Sequence, residues 1–63
     1  MNKKQAVAYA QVALNFMQSS KYKGDINSET LGIEMRQAFK IYPNNLIETI
    51  AKAQITPDKN IKN

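Results

Sequence analysis

The stretch KKQAVAYAQVALNFMQSS, residues 3–20, most constrains what this chain can fold into. Set on a helix at about 100° per residue, its polar residues Lys4, Gln11, Asn15 and Gln18 gather on one narrow face. Opposite them lie Ala6, Tyr9, Ala10, Ala13, Phe16 and Met17, with Val12 on one shoulder and Val7 and Leu14 on the other. The apolar arc takes more than half the circumference, wider than the stripe of about 100° that a surface helix shows. A helix so apolar must touch at least two other elements. The alanines keep the middle of the face thin enough for a neighbouring backbone to come close, while Tyr9, Phe16 and Met17 supply bulk around it. This places Phe16 in the core.

Two other readings of the stretch fit less well. A membrane-surface helix would carry a basic polar face, and this one is Gln and Asn between flanking lysines. A secretory leader would need an unbroken apolar run, which Gln11 and Asn15 interrupt. No run approaches the roughly 18 apolar residues of a membrane span.

With 63 residues there is room for one domain. A chain this short buries about 60% of its unfolded surface, so its stability rests on helix packing. It has no Cys and no His, hence no disulfide and no Cys–His zinc site. Absence of cysteine fits a cytoplasmic protein.

The formal charge is +4, and its placement is uneven. Lys3, Lys4, Lys21 and Lys23 face only Asp25 in the first 26 residues; Glu29, Glu34 and Glu48 then balance Arg36, Lys40 and Lys52. The excess sits at the two ends of the first helix and in the tail, where Lys59 and Lys62 meet Asp58.

Beyond Ser20, Gly24 is suited to the left-handed conformation that ends a helix, with Lys21 and Lys23 at the negative end of the helix dipole. Asn27 or Ser28 can cap a second helix; with Asn27 as the cap, Ile26 and Leu31 stand at the positions of a hydrophobic staple. Leu31, Met35, Ala38, Phe39 and Tyr42 then line one face, Ile33 points nearly opposite, and Ile41 falls toward one flank. Pro43 closes the helix because the residue before a proline is driven from the α region. Asn45 followed by Glu48 is a capping-box pattern for a third helix, with Leu46, Ile47, Ile50, Ala51 and Gln54 inward. The tail TPDKNIKN offers one isolated apolar residue, Ile61, and reads as disordered. The expected fold is therefore all-α: a small three-helix bundle over residues 1–56, with helices at 3–21, 28–41 and 45–55 and a disordered C-terminal tail, residues 57–63.

Catalysis finds little support. Without His and Cys the commonest general base and the best thiol nucleophile are missing; Glu34 and Glu48 could approach across the second and third helices, but a working pair needs a cleft. In DINSETLG, Asp25, Asn27 and Glu29 alternate as calcium ligands do, yet Thr30 stands where the loop needs Gly and Arg36 where it needs Glu. Gly24 and Gly32 stand apart, so there is no phosphate-binding glycine loop. No metal, cofactor or enzymatic activity is expected.

The leftover apolar residues point to association instead. Ile33 with Arg36, Gln37 and Lys40 beside it makes an apolar centre with a polar rim, and Val7 and Leu14 add to the exposed apolar surface. The expectation is a non-enzymatic interaction module that binds a protein partner, or a second copy of itself as a homo-oligomer. The alternative is nucleic-acid binding through Lys21, Tyr22 and Lys23, since the second and third helices are joined by a short turn as in a helix-turn-helix unit.

Overall fold

The computed structural model describes residues 1–55, which form three helices: α1 (Lys3–Met17), α2 (Ser28–Ile41) and α3 (Ile47–Ile55). The all-α three-helix architecture is the one its hydrophobic periodicity predicts. The expected disorder of residues 57–63 lies outside the described residues.

α1 and α2 begin where side chains satisfy their free backbone N–H groups. At α1 the Asn2 side chain accepts from the Gln5 N–H at 2.8 Å and the Gln5 side chain accepts from the Asn2 N–H at 3.0 Å. At α2 the cap is Asn27, whose Oδ1 accepts from the Thr30 N–H at 3.0 Å while Thr30 Oγ1 accepts from the Asn27 N–H at 3.0 Å. Glu29 in the first turn and Lys40 in the last complement the α2 dipole. The staple beneath this cap is weak, because Ile26 remains exposed. Tyr42 is extended, at φ −110 and ψ 131, as Pro43 requires. The Asn45–Glu48 box does not start α3. A turn closed by Leu46 N–H to the Pro43 carbonyl at 3.1 Å precedes the helix, and the Leu46 carbonyl accepts from Ile50 N–H at 2.9 Å. Leu46 is accordingly exposed rather than inward.

The end of α1 departs from expectation. It stops at Met17 rather than near residue 21, because Ser19 Oγ donates to the Phe16 carbonyl at 2.6 Å and accepts from Lys21 N–H at 3.3 Å. A serine that bonds the local backbone competes with helix continuation. Lys21 and Lys23 therefore lie beyond the last turn of α1, which holds no basic residue. Nor is Gly24 left-handed. Its smallness matters for another reason: a Cβ there would sit 2.9 Å from the Tyr22 hydroxyl.

α1 is the hub. α2 and α3 both pack on it and make no close backbone contact with each other among the described residues. Hydrogen bonds from Gln5 to the Asn44 carbonyl and from Asn15 to Gln54 show that α3 runs alongside α1 in the same direction. The Tyr9–Phe39 ring contact sets α2 against α1. The core joins Ala8, Tyr9 and Val12 of α1 to Ala38 of α2 and to Ile47 and Ala51 of α3, with Met35, Tyr42 and Ile50 against it. Ala13 and Met17 are also buried.

Tyr9 is the pivot of this packing. It is 0% exposed, and its ring meets Phe39 edge-on at 4.7 Å. Its hydroxyl lies 2.6 Å from the Tyr42 carbonyl and 2.8 Å from Asn44 Oδ1. A phenol has one proton to donate, and the shorter contact takes it; an Asn44 amide turned over would donate to the phenol oxygen instead. One α1 side chain thus holds the turn that sets the directions of α2 and α3.

Candidate interaction surface

α2 and α3 make no close contact with each other, and the face of α1 between them is not covered along its whole length. Near its C-terminal end an open groove of about 150 Å³ runs between α1 and α2, floored by Val12, Ala13 and Ala38 and walled by Phe16, Ile41 and Tyr42. Glu34 and Gln37 stand at its polar edge. A second groove, about 240 Å³, adjoins it and shares Val12, Phe16 and Tyr42; Asn15, Ser19, Lys21 and Gln54 complete its lining. Phe16 is 41% exposed and Ile41 66% exposed. Phe16 is therefore not the core residue that its wheel position implied. It points the same way as Tyr9 but about two turns further along, where neither α2 nor α3 covers it.

The wall of this surface is held in place by the α1–α2 loop. The Tyr22 ring packs edge-on against Phe16 with centroids 5.8 Å apart. The Tyr22 hydroxyl donates to the Asp25 carbonyl at 2.8 Å, and the same carbonyl accepts from Thr30 Oγ1 at 2.8 Å. Gly24 leaves the space the phenol occupies. Tyr22, expected as a possible nucleic-acid contact between Lys21 and Lys23, thus spends its ring on Phe16 and its hydroxyl on the loop. Lys21 borders the second groove, and Lys23 is exposed.

The six residues expected to form a partner surface are spread over the molecule. Ile33 is 44% exposed on α2, with Arg36, Gln37 and Lys40 also exposed. Of these four, Gln37 reaches the Phe16–Ile41 groove. Val7, 56% exposed, opens onto a groove of about 280 Å³ between α1 and α3, beside Lys3, Lys4, Gln11 and Glu48. Leu14 is exposed on the same α1 shoulder. What the sequence did not disclose is the pairing of Ile41 with Phe16. The off-stripe position of Ile41 was its one signal.

Glu34 borders the α1–α2 groove and Glu48 the α1–α3 groove, so the two carboxylates belong to separate surfaces. Among the described residues no three His, Cys, Asp or Glu side chains group as metal ligands would. No helix among the described residues is long and apolar enough to cross a membrane. α2 and α3 do not pack on each other as the two helices of a helix-turn-helix unit do. No known protein family matches the chain, and neither does any curated protein or solved structure.

Proposed function

We propose that this protein is a non-enzymatic helical interaction module that binds a protein partner through an apolar surface centred on Phe16 and Ile41. The observation that carries the reading is the joint exposure of these two side chains on one groove with a polar edge. An apolar centre with a polar rim is the anatomy of a protein-binding patch, and large aromatic and aliphatic anchors dominate such contacts. The centre of the surface lies on the α1–α2 seam rather than at Ile33. The lack of cysteine supports a cytoplasmic setting.

The test is capture from nuclease-treated host lysate with the parent chain and with Ile41→Glu as baits. The parent should retain a partner that Ile41→Glu releases, with both baits equally helical. Capture that is abolished by nuclease, and that falls steeply as salt rises, would instead support nucleic-acid binding through Lys21 and Lys23. Equal capture by both baits refutes the surface.

A further inference from the structure

The chemistry around Phe16 fits a second copy of this chain, and we propose that the Phe16–Ile41 surface closes a two-fold symmetric homodimer. The proposal rests on the reading of that surface as the interaction face and specifies its occupant. A two-fold contact requires a patch complementary to itself, so that if residue i meets residue j of the other copy, j also meets i. The two adjoining grooves carry the opposite charges that this condition needs. Glu34 borders the first and Lys21 the second, while Phe16 and Tyr42 are common to both. Neither Glu34 nor Lys21 has an ion-pair partner among the described residues. An axis passing close to Phe16 sets Glu34 of each copy against Lys21 of the other, giving two ion pairs around a shared apolar centre.

A partner of uniform charge would satisfy one groove and oppose the other. A second copy satisfies both. The loop contacts of Tyr22 fix Phe16 beforehand, so little side-chain freedom is lost on docking. Covering Phe16 and Ile41 also removes apolar surface from water, which a chain of 63 residues with a small core otherwise leaves exposed.

Charge reversal tests this directly. Sedimentation equilibrium of the parent over about a hundredfold concentration range should show a mass rising from one chain toward two. Glu34→Lys alone and Lys21→Glu alone each place like charges together twice, and each should weaken association by about tenfold at low salt. An equimolar mixture of the two single variants restores both opposite-charge pairs between unlike chains, and so does the double variant; both should recover the parent's affinity. Unchanged thermal melts at low concentration would show that the single variants still fold. A parent that stays monomeric throughout, or single variants that associate as the parent does, overturns the dimer. Should the parent be monomeric while its capture of a lysate protein still depends on Ile41, the homodimer fails and the interaction surface stands; if capture is indifferent to Ile41 as well, both fail.

Discussion

Removing one oxygen atom from Tyr9 should destabilise the whole bundle. Tyr9→Phe keeps the ring, its complete burial and its edge-on contact with Phe39, and deletes only the hydroxyl that reaches the α2–α3 turn. What is lost is the 2.6 Å bond to the Tyr42 carbonyl and the 2.8 Å contact with Asn44. Leaving a buried acceptor without its donor costs about 1–3 kcal/mol. The turn is only partly buried, so water can reach the freed carbonyl and the low end applies, about 1–2 kcal/mol. At about 0.05–0.15 kcal/mol per residue, a domain of this size has only a few kcal/mol in total, so the change is a large share of it. It corresponds to a fall in Tm of about 4–8 °C for each kcal/mol. Thermal and urea melts followed by circular dichroism would measure it. Combining Tyr9→Phe with Asn44→Ala should give less than the sum of the two single effects, because both remove the same contact. A Tyr9→Phe melt within a degree of the parent's would refute the claim that this hydroxyl holds the turn.

Gly32→Ala should raise stability by about 1 kcal/mol, since Gly32 lies inside α2 and an added Cβ meets nothing within 4 Å; a lower Tm would mean the site is tighter than it looks. Ile47→Ala, at a fully buried position, should cost about 2–5 kcal/mol, whereas the half-open Phe16→Ala should cost less, about 2 kcal/mol; urea melts giving the reverse order would contradict the packing. Gly24→Ala should displace the Tyr22 ring and remove its bond to Asp25, costing about 1 kcal/mol. Unchanged tyrosine fluorescence together with an unchanged melt in that variant would count against the loop clamp.

Much of this fold is local chemistry, and local chemistry is readable along the chain. The α2 bounds follow from the Asn27 cap and from Pro43, and both act within a few residues of where they stand. Asn2 and Gln5 carry the same kind of cap signal for α1. The all-α class follows from apolar residues recurring at helical spacing, and the central place of α1 from its unusually wide apolar arc. A helical wheel gives direction but not depth, however. It put Phe16 with Tyr9 and passed over Ala8, because it carries no knowledge of where neighbouring helices lie along the axis. Ala8 is buried because α3 runs along the side of α1 that borders its polar face, aligned by Gln5–Asn44 and Asn15–Gln54 contacts between residues 39 apart in sequence. Phe16 stays open because α2 and α3, which make no close contact with each other, do not cover α1 at that position. Period and capping determined which segments are helices. Only the three-dimensional packing of α2, α3 and their connecting turn on α1 decided which apolar side chains remain exposed.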